Sequence, residues 1–343
     1  MLWRNYVRCA GWMLRCGFLI TGLLALGGCY ATPSSVPWSA ATYSSGNVYI
    51  MKGSYSLLNF TAIVSPEGTF KKAGGIIVGH QFTLYRKSKE FEKIGEFSQN
   101  GMDNGPTYFD YFASKGTLVA WTEGHVQNLT DRVSASFNGP FISQYFDSNP
   151  GVPYLLLSNS EKNQFSVVNK ITGAATPLKP STVIFMGKAK DAHNNYYLND
   201  YGSVIIRAER NDSGSMIVSA FDMVSEKTIL EPQAVSASML GSDRSTIKFC
   251  NVVNGVVIMV LSNPSGINGL QISAGNVSKK IQDNIDSLYE GGRVFQENPD
   301  TLVLLYEPRR TNSIGEQLVL NKYSLSAGQR LSSETIAIPD SLP

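Results

Sequence analysis

Charge is the first thing this 343-residue sequence has little of. Lys, Arg, Asp and Glu together make up 16% of it, against about a quarter in ordinary soluble domains. Long solvent-facing helices draw on Glu, Lys, Arg and Ala, so the shortage argues against a helical bundle. The charges present are also balanced. Arg4, Arg8 and Arg15 lie in the first 28 residues, where no acid occurs, and beyond them 26 Lys and Arg face 27 Asp and Glu, a net of −1. A near-neutral body lacks the positive field that draws a protein to DNA, RNA or an anionic bilayer. Nucleic acid is therefore not an expected partner.

Cysteine and histidine are scarcer still. Of Cys9, Cys16, Cys29 and Cys250, only the last lies beyond residue 29, so a body cut at that point has no intramolecular disulfide and must rely on a packed core. Within Ile247–Val252, Cys250 reads as a small buried apolar residue. The competing reading, a reactive thiol, would need a basic neighbour to lower its pKa, and none is close in sequence. The histidines, His80, His125 and His193, stand far apart with no His-x-x-x-His or His-Glu-x-x-His spacing. A zinc site would require them to converge with carboxylates; surface or rim positions are the expectation, and no metal or cofactor is predicted. A Gly-x-Ser-x-Gly elbow and a phosphate-cradling Gly-x-x-x-x-Gly-Lys-Ser/Thr loop are both missing. Asp191–Asn195 and Arg210–Ser215 are rich in oxygen ligands, but the first lacks the glycine and closing Glu of a calcium loop. Both read as Asx-type turns.

The N-terminus carries the most specific signal. The three arginines are followed by an apolar run, Gly17 to Leu26, too short to span a bilayer comfortably. Leu26-Gly27-Gly28-Cys29 comes next. An aliphatic residue, two small ones and a cysteine in this order resemble the bacterial lipobox, and the chain thus resembles a bacterial lipoprotein. The resemblance implies cleavage between Gly28 and Cys29 and lipidation of Cys29. The alternative is a short membrane anchor or buried apolar helix with an incidental cysteine. Met13-Leu14-Arg15 with the apolar run is already a complete leader, so translation from Met13 would yield the same mature chain. More than one acyl chain gives stable attachment, at roughly 0.8 kcal/mol per buried CH₂. Tyr30, rather than Asp, follows the cysteine, which favours an outer membrane where the host has one. Residues 29–46 are small, Pro-containing and almost uncharged, and read as a tether. This divides the chain into a signal peptide (1–28), lipidated tether (29–46) and folded domain (47–343).

That domain reads as strands throughout. Short β-branched and aromatic runs alternate with Gly, Asn, Asp, Ser and Pro, and no convincing 3.6-residue period extends over 12 residues. Lys279–Tyr289 could be a helix or, equally, a strand followed by a loop. Six strongly apolar runs begin at Gly75, Thr117, Tyr154, Ser203, Gly255 and Thr301, 37 to 52 residues apart. In the last four units a second strand follows (at Phe165, Met216, Leu270 and Leu318), then a turn and a more polar strand. A period of roughly 40–50 residues is that of a propeller blade. The prediction is an all-β fold, a β-propeller of six to seven four-stranded blades, with Asn47–Val64 completing the first or adding a seventh. A pair of β-sandwiches or a β-solenoid is the alternative. The body resembles β-propeller lipoproteins in repeat period only. Arg210–Ser215 faintly resembles the Asp-box turn of sialidase-like propellers, without its leading Ser/Thr or closing aromatic.

Two aromatic clusters, Tyr108–Phe112 and Phe141–Asp147, precede apolar runs in successive units. They could turn Tyr108, Asp110, Tyr111, Tyr145 and Asp147 toward a ligand or partner in the channel, or pack between blades. Arg309-Arg310 reads as a solvated loop. The leading functional expectation is a membrane-tethered, non-catalytic scaffold in the cell envelope that binds partner proteins. A glycan-active enzyme with paired carboxylates about 5–10 Å apart, or a surface adhesin or secretion-system accessory, are the alternatives.

Overall fold

A computed structural model of the chain describes residues 38–58, 63–64, 70–71, 76–99, 108–122, 124–142, 149–159, 164–187, 194–242, 245–264, 266–285, 292–306 and 316–339. The leader with Gly28 and Cys29, together with Tyr145, Asp147, Asp191, His193, Arg309 and Arg310, lies outside them.

Six antiparallel blades form a ring, a β-propeller. Blade 1 begins with β1 (Trp38–Ser44) and β2 (Asn47–Leu58). A two-stranded insertion, β3 (Ile63–Val64) and β4 (Phe70–Lys71), precedes β5 (Ile76–Lys87) and β6 (Phe91–Gln99), which complete the sheet in the order β1-β2-β5-β6. Blade 2 comprises β7 (Tyr108–Phe112), β8 (Thr117–Thr122), β9 (His125–Asn128) and β10 (Val133–Ser136). Blade 3 holds β11 (Tyr154–Asn159), β12 (Gln164–Asn169) and β13 (Ala175–Pro177). Its innermost position is taken by the segment around Phe141, which bridges Leu157, with Ile142 N–H donating to Leu156 O at 2.6 Å. Blade 4 contains β14 (Asn194–Leu198), β15 (Val204–Arg210), β16 (Met216–Asp222) and β17 (Lys227–Val235). Blade 5 contains β18 (Thr246–Val253), β19 (Val256–Asn263), β20 (Gly266–Ser273) and β21 (Asn276–Asn284). Blade 6 contains β22 (Arg293–Gln296), β23 (Thr301–Tyr306), β24 (Glu316–Ser324) and β25 (Gln329–Ile338). Two short helices, α1 (Pro180–Met186) and α2 (Ala237–Leu240), join blades 3 to 4 and 4 to 5.

The chain divides into two compact units. One, Met1–Ser39 with Lys52–Phe82 and Ser98–Asp103, includes the β3–β4 pair, where Ile63 faces Lys71 and Val64 faces Phe70. The other, Ala40–Met51 with Thr83–Phe97 and Asn104–Pro343, holds the core and the site described below.

The burial pattern explains the sequence periodicity. All six residues of β23 are buried, whereas the first seven of β25 are exposed. A strand with neighbours on both edges and apolar blades on both faces must be apolar throughout; an outermost strand keeps one side in water. The strong runs starting at Thr117, Tyr154, Ser203, Gly255 and Thr301 are therefore the second strands of their blades, not the innermost. The run from Gly75 falls in β5, third in blade 1. Asn47–Val64 completes blade 1 through β2, and the count is six rather than seven. The innermost strand of blade 1 is β1, which lies inside the stretch read above as tether. Trp-Ser-Ala-Ala-Thr-Tyr-Ser carries no Val, Ile or Leu, so its composition resembles a linker. Lys279–Tyr289 begins as strand, within β21.

Apolar clusters join neighbouring blades. Tyr197, Ile206 and Met216 of blade 4 pack with Val257 and Leu270 of blade 5; Phe249 and Ile258 of blade 5 pack with Val294 and Leu304 of blade 6. Tyr43, Val48 and Ile50 of blade 1 pack with Phe295, Val303 and Ile336 of blade 6. Among the described residues no blade combines strands from both ends of the chain, and side chains of blades 1 and 6 pack against each other.

Gly139 shows how tight the innermost layer of blade 3 is. Its φ is +134°, and a Cβ there would lie 2.1 Å from the Ser158 carbonyl oxygen, a backbone atom that cannot step aside. Gly139→Ala is expected to lower stability by about 2–4 kcal/mol, read as a fall in the urea midpoint. A loss below about 0.5 kcal/mol would show that the backbone yields there.

Candidate functional site

The Tyr108–Phe112 cluster is itself the innermost strand of blade 2. Asp110, at its centre, is fully buried. Its Oδ2 accepts from Lys170 Nζ at 2.6 Å and from Trp121 Nε1 at 3.0 Å. Its Oδ1 accepts from Arg293 Nη2 and from Gly151 N–H, each at 2.9 Å. Lys170 stands in the turn after β12 and is also fully buried, with its ammonium 5.3 Å from the Trp121 ring centre. Arg293 opens β22, and its Nη1 donates to Ala41 O of blade 1 at 3.1 Å and Phe109 O of blade 2 at 3.0 Å. One carboxylate thus joins blades 2, 3 and 6, and the arginine carries the link across blade 1.

Burial opposes ionisation of Asp110, but Lys170, Arg293 and the Gly151 N–H outweigh it and hold the carboxyl at about 2. Burial lowers the Lys170 ammonium and Arg293 adds to this, against the pull of Asp110. The asymmetry is physical, because Asp110 faces two cations and a peptide N–H while Lys170 faces a single carboxylate. We take Asp110 to be ionised.

A second set of bonds comes from the loop ahead of β11. Asn149 adopts the left-handed region at φ 46° and is buried. Its Nδ2 donates to Leu198 O at 2.9 Å and Cys250 O at 2.6 Å, and its Oδ1 accepts from Cys250 N–H at 2.8 Å. This amide fastens the innermost strands of blades 4 and 5 to the loop from blade 3. Cys250 is fully buried and free, and burial pushes its thiol well above the ordinary range. It is the packed apolar residue its sequence setting indicated.

Above this layer a recess of about 260 Å³ opens on the axis. Every blade starts with its innermost strand, so the turns from first to second strand share one face of the ring. The recess is framed by Tyr43–Gly46 of blade 1, Pro150–Gly151 of blade 3, Asp200 of blade 4, Phe249 of blade 5 and Phe295–Glu297 of blade 6. Tyr43 donates to Glu297 in a short hydrogen bond, and Lys322 Nζ approaches the two Glu297 oxygens at 2.8 and 3.0 Å. Burial raises Glu297, but the bonds from Lys322 and Tyr43 outweigh it and leave its carboxyl low. Burial, helped by the Glu297 acceptor, pushes the Tyr43 phenol up to about 12. Asp200 is different. It is exposed and lines the recess, and desolvation raises its carboxyl, partly offset by Asn251 Nδ2 at 3.1 Å. Among the described residues no cation pairs with it.

Tyr108 and Tyr111 pack between strands and blades. Tyr111 is buried with its ring centre 4.5 Å from that of Tyr49, and Tyr108 lies 4.6 Å from Trp121. Asp110, with its four donors, is enclosed as well. Tyr145 and Asp147 are not among the described residues. His125 Nδ1 lies 2.7 Å from Ser136 Oγ on the outer strands of blade 2, and burial lowers its pKa. Arg210–Ser215 is an Asx-type hairpin turn, with Ser215 N–H donating to Asn211 Oδ1 at 3.0 Å. Among the described residues no three His, Cys, Asp or Glu gather as a metal site would require.

Sequence reading missed Lys170, Arg293, Asn149 and Asp200. Lys170 and Asn149 occupy turn-like segments where exposed polar residues are the rule, so no local signal marks them as buried. Asp200-Tyr201-Gly202 reads only as a turn.

No protein-family model and no curated protein matches this sequence. Similar solved structures include TolB from Acinetobacter baumannii, 12% identical over 75% of this chain and 60% of that one, at a TM-score of 0.39. The match therefore spans less than two thirds of that TolB's length. The Cps50 (Swd1) β-propeller domain of Myceliophteria thermophila is 10% identical over 76% of this chain and 81% of that one, TM-score 0.39. The WD40 domain of SCAP from fission yeast is 10% identical over 90% of both chains, TM-score 0.34.

Proposed function

We propose that the protein is a lipid-anchored component of the cell envelope whose propeller is a rigid, non-catalytic module for binding a partner protein. The observation that carries this is the contrast between the two polar layers on the axis. Asp110, Lys170 and Arg293 are bound to one another and to the backbone, which fits a fastening rather than proton transfer. Turns from several blades frame an open recess beside them, and turns on a rigid scaffold are where binding surfaces arise. The anchoring part rests on the basic leader, the apolar run and Leu26-Gly27-Gly28-Cys29, with Tyr30 favouring the outer membrane.

The test is made in fractionated cells fed an alkyne fatty acid, with a photo-crosslinking phenylalanine analogue in place of Tyr201 or Leu331. Tyr201, 81% exposed, adjoins Asp200 at the mouth, whereas Leu331, 53% exposed, lies on the outermost strand of blade 6. The expected result is a discrete crosslinked envelope protein from position 201 and none from 331. Cys29→Ala is expected to abolish both label and membrane association. Retained label, or no crosslink from position 201, would overturn the corresponding half of the proposal.

A further inference from the structure

Resting on the binding reading above, we infer that the axial recess receives a cationic side chain, a lysine or arginine, from the partner protein. The size of the recess comes first. About 260 Å³ falls below the roughly 300–1,000 Å³ of small-molecule and cofactor sites and suits a single side chain. Its lining comes second. Phe249 and Phe295 are almost wholly buried behind it, so its exposed lining is mainly polar, and Asp200 and Glu297 bring carboxylates to it. A positively charged head group matches this polar, acidic lining.

Charge balance supplies the third argument. Glu297 already has Lys322 within 3.0 Å. Asp110 has both Lys170 and Arg293. Asp200 has only the Asn251 amide, so it is the carboxylate of this region without a counter-ion among the described residues. A carboxylate without a counter-ion gains from a cation brought to it. An anionic or purely apolar side chain would leave that charge uncompensated.

The test uses the full-length protein in detergent and three capped tripeptides, Gly-Lys-Gly, Gly-Arg-Gly and Gly-norleucine-Gly, titrated by saturation-transfer NMR. Norleucine keeps the lysine stem and removes the charge. The two cationic peptides are expected to bind saturably, roughly fivefold more tightly than the norleucine peptide. Asp200→Asn is expected to erase that preference while leaving norleucine binding and the circular dichroism spectrum unchanged. Glu297→Gln, still within hydrogen-bond reach of Lys322, is a second variant expected to weaken the cationic peptides in the same sense. The preference is also expected to fade as pH falls through the Asp200 carboxyl, above the ordinary carboxylate value of about 3.9. Equal affinity for lysine and norleucine, binding of none of the three, or an unchanged preference in Asp200→Asn would overturn the inference. A crosslink from position 201 that persists alongside any of those results would leave the binding module standing and remove only its cationic ligand. Absence of the wild-type crosslink would remove the module itself.

Discussion

Replacing Asp110 by asparagine is expected to destabilise the protein by about 3–5 kcal/mol, the cost of leaving a buried charge without its partner. The shape of the side chain is kept, so the loss reports charge. Lys170, fully buried, would face a neutral amide at 2.6 Å, and Arg293 would lose the only carboxylate it meets among the described residues. Urea unfolding reads the effect as a lower midpoint at unchanged slope. A loss below about 1 kcal/mol would mean that water or a rearranged side chain takes over the carboxylate's role. Combining Asp110→Asn with Lys170→Met is expected to recover part of the loss, because the second change removes one orphaned cation. The same carboxyl predicts a pH dependence. It lies at about 2 in the folded protein and near 3.9 when unfolded, so the folded state releases its proton more readily. The stability it confers is full above about pH 5 and is lost as pH falls through about 4 toward 2. Asp110→Asn lacks that component, and its stability is expected to fall less steeply over the same interval.

Asn149→Ala is expected to cost about 3–4 kcal/mol. Three peptide groups on two blades, Leu198 O, Cys250 O and Cys250 N–H, would lose a partner at once, and a buried polar group left unpaired costs about 1–3 kcal/mol. Alanine also disfavours φ 46°, which asparagine tolerates. Asn149→Gly separates the two causes, since glycine accepts the backbone conformation and still lacks the amide. If hydrogen bonding dominates, Gly and Ala variants lose similar stability, and the Cys250 amide exchanges with solvent faster in both. A Gly variant as stable as the wild type would assign the effect to backbone strain instead.

These two residues also mark where reading the sequence stops. The apolar runs at Thr117, Tyr154, Ser203, Gly255 and Thr301 were legible because a strand enclosed on both edges and both faces must be apolar along its whole length. Their spacing revealed the blade repeat. The phase was not legible. Innermost strands such as Trp38–Ser44 and Tyr108–Phe112 border the polar axis and carry Thr, Ser and Asp among their apolar residues, so the most apolar runs marked second strands. Asp110 drew notice through its aromatic neighbours, as a group offered to a ligand. Its role as a fastening depends on Lys170 and Arg293, which are 60 and 183 residues away in sequence.

The sequence by itself determined the all-β class, the repeat, the absence of disulfides from the body, the burial of Cys250 and the expectation of a lipidated Cys29. Each depends on composition, on a short local motif or on burial along one strand, and such properties are written in neighbouring residues. The count of six blades, the side-chain packing between blades 1 and 6, the Asp110–Lys170–Arg293 fastening and the recess with Asp200, which meets no cation among the described residues, were decided only by the tertiary structure. They arise where a closed ring brings first-to-second-strand turns from distant repeats onto one axis, and a turn residue looks the same in sequence whether water or another blade lies beside it.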